Sequence, residues 1–143
     1  AITLENVEDE VFASGATGKG LAILPNEGRV YAPFDGEAVA IFPSKHAVGL
    51  RSVDGIEMLI HVGLNTVMLN GKYFTLKIEQ DAIVKKGDVL LEFDIENIKK
   101  EGYSVVTPIL VTNFDDVDLK VTVNENDVVQ AGDKIIDINE KRT

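Results

Sequence analysis

Short apolar runs separated by turn-forming dipeptides recur along the chain, and this feature constrains its fold more than any other. The runs are rich in Val, Ile, Leu and Phe and occupy residues 28–33, 37–42, 58–62, 89–93, 109–112 and 134–138. Asp-Gly, Asn-Gly or Gly-Asp pairs stand at 35–36, 54–55, 70–71, 87–88 and 132–133. This pattern predicts antiparallel strands, and residues 95–102 are predicted as a short helix. We therefore expect an all-β fold, a single-domain antiparallel β-sandwich or partly closed barrel with at most short helices.

Two segments of the chain echo each other. Residues 84–93 (VKKGDVLLEF) and 129–138 (VQAGDKIIDI) both read as valine, two spacers, Gly-Asp and a strand with an acidic residue before its last apolar position. We interpret the echo as an internal duplication of one turn-and-strand unit. Because Gly-Asp turns suit many β proteins, the echo bears on the fold and says little about function.

Charge and composition exclude several classes of function. The chain has 143 residues, with 24 Asp plus Glu against 14 Lys plus Arg and a formal net charge of −10. So acidic a surface repels phosphate backbones and anionic lipids, which argues against nucleic-acid or membrane-surface binding and favours a basic protein partner. The absence of cysteine excludes disulfides and thiolate zinc sites and fits a reducing compartment.

Targeting and membrane signals are also missing from the sequence. No apolar run approaches the roughly 20 residues that cross a bilayer. The first residues, AITLENVEDEVF, lack the regions of a signal peptide. Without an initiator Met, the chain is interpreted as a processed product or a fragment of a larger protein. The missing Met and the missing linker-like tail favour an excised domain over a separate polypeptide.

The two histidines of the chain lie in or beside apolar segments, where packing gives no reason to prefer imidazole. His46 lies in FPSKHAVGL and His61 in GIEMLIHVGLNTV. If Asp54-Gly55 is the two-residue loop of a hairpin, His46 faces Gly63 and Val48 faces His61. Both rings then lie on one face as diagonal neighbours, with their backbones about 7–8 Å apart, a gap that long planar side chains can bridge. Gly63 leaves room between the two rings. A three-residue loop without a bulge would place the rings on opposite faces.

Three interpretations of the ring pair remain open on the residues alone. Each ring can be a hydrogen-bonded core residue. A zinc site normally needs at least three protein ligands, and the remaining candidate, Glu57, lies four residues along the strand from His61. Nucleophilic attack on phosphorus by one ring is the stronger hypothesis, because a neutral imidazole attacks phosphorus well and is mostly neutral at cytoplasmic pH. The second histidine and a neighbouring hydroxyl would donate hydrogen bonds to the phosphoryl oxygens. Ser44, two residues from His46 and on the same face if the strand is regular, offers such a hydroxyl. Apolar neighbours would keep water from the P–N bond.

The two histidine segments, SKHAVGL (44–50) and GIEMLIHVGLNTV (55–67), resemble the glucose-type IIA domain of the bacterial phosphoenolpyruvate-dependent sugar phosphotransferase system. Further matching segments follow in the family's order from about residue 8 to 138, namely VFASG, GKG, YAPFDGEAVAIFP, GKYF, EFD and TP. The resemblance implies that residues 1–143 form a single IIA phosphocarrier domain with a fold of the duplicated hybrid motif type. It also implies that residues 1–7 are a flexible or linker segment.

The resemblance also implies a role for each site residue. His61 matches the histidine that is phosphorylated on Nε2 by phospho-HPr and that passes the group to a cysteine of a IIB domain, driving sugar uptake. His46 matches the histidine that steadies the phosphoryl group and is needed for its donation. Ser44 stands where the family usually has threonine. An apolar rim for partner binding is implied at Val11, Phe12, Phe42, Leu59 and Val67.

Contacts, cofactors and location follow from the same resemblance. Gly63 and Asn65 are further candidate contacts, although Asn65 replaces an aspartate that is common in relatives, and Met68 stands at a position that can be acidic. Some charge steering of the donor HPr would then be weakened, or taken over by Glu8, Asp9 and Glu10. No cofactor is required, and zinc at His46 and His61 is expected only when shared with a partner. The domain is expected in the cytoplasm, with neither nucleic-acid binding nor membrane insertion.

Two alternatives compete with phosphoryl transfer. A purely regulatory IIA-like domain of a sugar permease would keep His61 and dispense with the donor role of His46. A lipoyl or biotinyl carrier domain needs an exposed lysine on a hairpin, flanked by methionines in biotin carriers, and neither Met58 nor Met68 adjoins a lysine. The identity of the sugar does not follow from this sequence.

Overall fold

The computed structural model describes residues 2–3, 18–113, 117–121 and 136–140 of the chain. Within these residues the backbone forms twelve strands, one α-helix and one 3-10 helix. The helices are α1 (Ile95–Lys100) and the 3-10 helix Thr66–Leu69. The strands are β1 (Ile2–Thr3), β2 (Lys19–Ile23), β3 (Arg29–Tyr31), β4 (Gly36–Ile41), β5 (Ala47–Ser52), β6 (Glu57–His61), β7 (Phe74–Leu76), β8 (Ile83–Val84), β9 (Val89–Phe93), β10 (Thr107–Val111), β11 (Val117–Val121) and β12 (Ile136–Glu140).

The strands pair antiparallel throughout the part of the chain that the structure describes. A seven-stranded sheet runs in the order β1-β2-β10-β6-β5-β4-β8, a three-stranded sheet in the order β3-β9-β7, and β11 pairs with β12. The predicted all-β antiparallel fold is therefore confirmed. Over these same strands the sheets stay open rather than closing into a barrel, with β1 and β8 at the edges of the large sheet.

One apolar cluster joins the large sheet to the three-stranded sheet and makes the two a sandwich. Its buried members include side chains from both layers, such as Val48, Leu50, Met58, Ile60, Phe74, Leu91 and Phe93. A second, smaller and separate cluster consists of Ala22, Leu64 and Leu110, and Leu59 packs against it. Since alternate residues of β6 point to opposite faces, Leu59 and His61 share the face that carries the smaller cluster.

Helix α1 confirms the one helix that the sequence predicts. The Asp94 side chain accepts a hydrogen bond from the Asn97 N–H at 3.1 Å and caps its first turn. Ile98 is fully buried in the main cluster, and Gly102 at φ 92° follows the last turn. Among the described residues, neither helix has the length and apolar character that crossing a membrane requires.

The first copy of the sequence echo forms the predicted turn and strand. The Asp88 carboxylate accepts a hydrogen bond from the Lys85 N–H at 2.9 Å, and Gly87 takes φ 94°, so the turn leads directly into β9. Residues 129–135 of the second copy lie outside the described residues, and β12 begins at Ile136. The internal duplication stays a prediction.

Candidate functional site

The hairpin that carries both histidines has a different register from the predicted one. Ala47 pairs with His61 and Val48 with Ile60, one residue away from the expected pairing. The loop is one residue longer, because the Gly55 N–H donates to the Ser52 carbonyl at 3.0 Å and Gly55 takes φ 89°. This is a type I turn followed by a left-handed bulge residue. The predicted pairings of His46 with Gly63 and of Val48 with His61 are therefore wrong.

The two rings nevertheless meet. Their centroids lie 4.7 Å apart, with the planes at 78° in an edge-to-face contact. His46 directly precedes β5, where its carbonyl still accepts from the Val62 N–H at 2.7 Å. Lys45 takes φ 60°, and its N–H donates to the Phe42 carbonyl at 2.8 Å, so the chain turns just before His46. The predicted convergence is thus observed, by a turn instead of by a shared strand face.

His61 is half-buried, and one of its nitrogens bonds to the backbone two residues ahead. Nδ1 lies 2.8 Å from the carbonyl oxygen of Gly63. A carbonyl oxygen only accepts hydrogen bonds, so Nδ1 carries the proton and the lone pair of the neutral ring resides on Nε2. The prediction that Gly63 leaves room opposite His46 is therefore wrong. Its carbonyl instead selects the tautomer of His61. The resulting nucleophilic nitrogen is the one farther from the backbone.

His46 has a drier environment than His61. Its side chain is 5% exposed, and its centroid lies 5.8 Å from that of Phe42. Burial, and to a lesser extent the nearby His61, together lower the pKa of His46 to about 4, and the Ser44 backbone acts in the opposite direction. Its Nδ1 is buried and has no hydrogen-bond partner among the described residues. The ring is therefore neutral near pH 7, with one donor and one acceptor nitrogen.

Ser44 lies in the turn before His46 and belongs to none of the described strands. The expectation that it shares a strand face with His46 is wrong, because the positive φ of Lys45 interrupts any strand there. Ser44 is half-buried and adjoins the site through its backbone, which influences the His46 ring. Its role as a hydroxyl donor to a phosphoryl group stays a prediction.

Two residues of the predicted apolar rim are exposed in the structure, and the rim itself stays a prediction. Phe42 and Val67 are 36% and 46% exposed, and Met68 is more exposed than either. Leu59 packs against the smaller apolar cluster. Val11, Phe12 and the acidic segment 8–10 lie outside the described residues.

The segments that hold the rings carry little charge. Residues 41–48 and 58–69 contain Lys45 as their one formally charged side chain, in a chain of net charge −10. Asn65 is exposed at φ 60° and directly precedes the 3-10 helix, at its N-cap position. Glu57, the candidate third zinc ligand, pairs instead with Arg51 at 3.2 Å at the opposite end of β6. No group of three or more potential metal ligands occurs within the described residues.

Thr66 is a site residue that the sequence patterns do not single out. It is fully buried just after Gly63, and its hydroxyl donates to the Val62 carbonyl. A threonine inside the apolar run LNTVML is the available signal, since a buried hydroxyl needs a partner. Which backbone group it would meet depends on the turn at 62–66, which periodicity does not predict.

Comparison with known proteins gives concordant matches. Residues 1–117 match the family described as phosphoenolpyruvate-dependent sugar phosphotransferase system, EIIA 1. The PTS system beta-glucoside-specific EIIBCA component of Halalkalibacterium halodurans is 45% identical over 137 residues, which cover 96% of this chain and 21% of that protein. The PTS system glucosamine-specific EIICBA component of Bacillus subtilis is 48% identical over 119 residues, which cover 83% of this chain and 19% of that protein.

A solved structure resembles the whole fold. The glucose permease IIA from Mycoplasma capricolum superimposes with a TM-score of 0.79 at 37% identity, covering 97% of this chain and 86% of that one. The chain spans about a fifth of the length of the curated relatives it matches.

Proposed function

The chain belongs to the EIIA 1 family of the phosphoenolpyruvate-dependent sugar phosphotransferase system, and from that premise we propose that His61 carries its phosphoryl group. As an EIIA domain it is a phosphotransferase component of that system. In the proposed cycle, cytoplasmic phospho-HPr donates the group and a cysteine of a IIB domain accepts it. Relatives named EIIBCA and EIICBA components support an acceptor on the same polypeptide.

The hydrogen bond from His61 Nδ1 to the Gly63 carbonyl carries the proposal. It directs the Nε2 lone pair to attack the phosphorus of the donor phosphohistidine. As the new N–P bond forms, the donor N–P bond breaks and its electron pair returns to the donor ring. The proton stays on His61 Nδ1 throughout, so the phosphorylated ring is an imidazolium and remains a good leaving group for the next transfer.

His46 is placed to respond to the transferred group. Before transfer it is neutral, because burial disfavours its cation. A phosphoryl group on the neighbouring ring would bring negative charge close to His46, which favours an N–H donor and then the imidazolium form. His46 would thereby stabilise the phosphoryl oxygens and the charge that develops as the group leaves.

Exposed apolar side chains in the segments that hold the rings suit transient docking of both partners. Phe42 contacts the His46 ring, Val67 and Met68 are exposed in the 3-10 helix that follows His61, and these segments carry little charge. A partner that covers them would exclude water from the phosphoryl group and limit its hydrolysis. The same surface would serve the donor and the acceptor in turn, because both must reach the Nε2 of His61.

The test is incubation of the protein with phosphoenolpyruvate, enzyme I and HPr, followed by mass spectrometry before and after addition of a IIB domain. Wild type should gain one acid-labile phosphate and lose it to IIB, and His61→Ala should gain none. His46→Ala should accept the phosphate and donate it poorly. Phosphate on His61→Ala would overturn the assignment, whereas phosphate that persists on wild type with IIB present would favour the regulatory alternative.

A further inference from the structure

Thr66 is a buried polar residue that the transfer step itself does not use. Its side chain is 0% exposed, and its hydroxyl donates to the carbonyl of Val62, the residue directly after His61. A buried carbonyl without a partner is costly, so this bond fixes the peptide between Val62 and Gly63.

The methyl group of Thr66 makes a second contact with the same turn. Gly63 takes φ 81°, and a Cβ built on it would lie 2.4 Å from Thr66 Cγ2 and 2.7 Å from the Ser104 carbonyl oxygen. On the far side, the Leu64 N–H donates to that same Ser104 oxygen at 3.1 Å. Gly63 is thus confined between Thr66 and Ser104, with little freedom to rotate its peptide planes.

We infer that Thr66 is a positioning residue for phosphoryl transfer, holding the Gly63 carbonyl where it accepts the Nδ1 proton of His61. The chain of contacts runs from the Thr66 hydroxyl and methyl to the 62–63 backbone, then to the His61 ring. Thr66 does not touch the reacting atoms. Its consequence for transfer rests on the proposed function, whereas its effect on the tautomer does not.

Two substitutions separate the contributions of the hydroxyl and the methyl. Thr66→Val keeps the shape and the methyl contact with Gly63 but leaves the Val62 carbonyl unpaired. Thr66→Ser keeps the hydrogen bond and removes the methyl that confines Gly63. If Thr66 acts through the Gly63 carbonyl, both changes must alter the His61 ring, the first more than the second.

The experiment records two-bond ¹H–¹⁵N spectra of the imidazoles in the full chain before phosphorylation, and the rate of phosphorylation by phospho-HPr. Wild type should show His61 with the proton on Nδ1. Thr66→Val should show a mixed tautomer population and an about tenfold slower rate. Thr66→Ser should fall between wild type and Thr66→Val in both readouts.

Thr107→Val is the matched control. Thr107 is also buried, at 6% exposure, and its hydroxyl donates to the Val105 carbonyl at 2.9 Å. The control should lose comparable thermal stability and keep the wild-type tautomer and rate. A Thr66→Val protein with a wild-type tautomer overturns the inference, as does one no different from Thr107→Val.

Two further outcomes are decisive. If Thr66→Val does not fold, a Thr66→Ser variant that is unchanged in both readouts overturns the inference. If wild type accepts no phosphate, the proposed function fails, and the spectra of the unphosphorylated variants still decide whether Thr66 sets the tautomer.

Discussion

The segment that leads into His46 and the segment that follows His61 hold the same kind of ring in opposite ways. His46 is buried against Phe42, with an unpartnered Nδ1 among the described residues and a lowered pKa. His61 is half-buried, with its Nδ1 bonded to the backbone at Gly63. One environment controls whether a ring is charged, and the other controls which nitrogen bears the proton. Nearby imidazoles can therefore take different roles in one transfer reaction.

The largest expected effect comes from Gly63→Ala, which breaks the His61 side of this comparison. The new methyl would meet Thr66 Cγ2 at 2.4 Å while the residue is held at φ 81°. Left-handed strain and overpacking together should lower the free energy of unfolding by about 4 kcal/mol. Urea unfolding should report this loss, together with a mixed His61 tautomer.

Gly55→Ala is the control for that change. Gly55 takes a similar φ of 89°, but a methyl there would meet nothing within 4 Å. It should cost only the left-handed strain, about 1 kcal/mol, and leave His61 unaltered. Equal losses at the two glycines would show that the turn after His61 is not tightly packed.

The second prediction tests the His46 side through the pH dependence of stability. The pKa of His46 is about 4 in the folded chain against an ordinary value of 6.5. Between these values the unfolded chain binds the additional proton, so the free energy of unfolding should fall as the pH is lowered from 6.5 to 4. Below pH 4 this contribution becomes constant. The total should not exceed about 3 kcal/mol.

His46→Gln removes the titrating ring and serves as the reference for that measurement. Thermal unfolding of both proteins across the window cancels the contribution of the carboxylates that they share. The stability difference between wild type and variant should shrink or reverse at the acid end. A pH-independent difference would mean that the His46 ring reaches solvent in the folded protein.

The strongly apolar strands and the helix were predictable from the sequence, and the geometry between them was not. Strands β4, β6 and β9 fall where apolar runs predict them, because burial on a sheet leaves a period that can be read. The short β7 and β8 were not predicted, since two or three residues show no period. The longer β2 and β11 were not predicted either, because Lys and Gly, or Asp and Lys, interrupt their apolar residues. The register was missed because Asp54-Gly55 suits several turns, and only the positive φ of Gly55 adds the bulge.

The site was predictable as a pair of residues but not as a mechanism. The two rings do converge as predicted, but the register from which we predicted it is wrong. The alternation of side chains along a strand does not reveal the turn at Lys45. The tautomer-selecting carbonyl of Gly63 depends on backbone contacts that leave no pattern in the sequence. The threonine at 66 signals a buried hydroxyl but not the carbonyl that it meets. Residue types therefore indicate which chemistry a site can perform, whereas the orientation of the side chains depends on the fold.

A third prediction couples the two rings. The pKa of His46 is about 4 in the unphosphorylated protein. When His61 is phosphorylated, the added negative charge should raise this pKa to about 5 to 6. Ring-proton NMR titration, with phosphoenolpyruvate, enzyme I and HPr maintaining the phosphorylated state, measures the change. His61→Gln in the same mixture should show no change on addition of phosphoenolpyruvate. An unchanged pKa in wild type would place the phosphoryl group out of reach of His46.

The smallest expected effect concerns how the His46 segment is anchored. Beyond the bulge between Ala38 and Ala40, the outer edge of β4 is completed by the Gln80 side chain. Its Oε1 accepts from the Ile41 N–H at 3.0 Å, and its Nε2 donates to the Val39 carbonyl at 2.6 Å. Gln80→Met should lose both hydrogen bonds. The free energy of unfolding should fall by only about 1 kcal/mol, because both bonds are exposed to water. Gln80→Glu keeps an acceptor for Ile41 and should lose about half as much.

The readout that ties Gln80 to the comparison is the NMR spectrum of each ring. Strand β4 runs directly into the turn that delivers His46, so loosening its end should shift the His46 ring resonances in Gln80→Met. The His61 tautomer should not change, because the turn at 62–66 is held from Thr66 and Ser104 instead. Gln80→Met could instead alter the tautomer of His61 as much as the environment of His46. In that case the same backbone contacts would position both rings, and separate contacts would not explain their different roles.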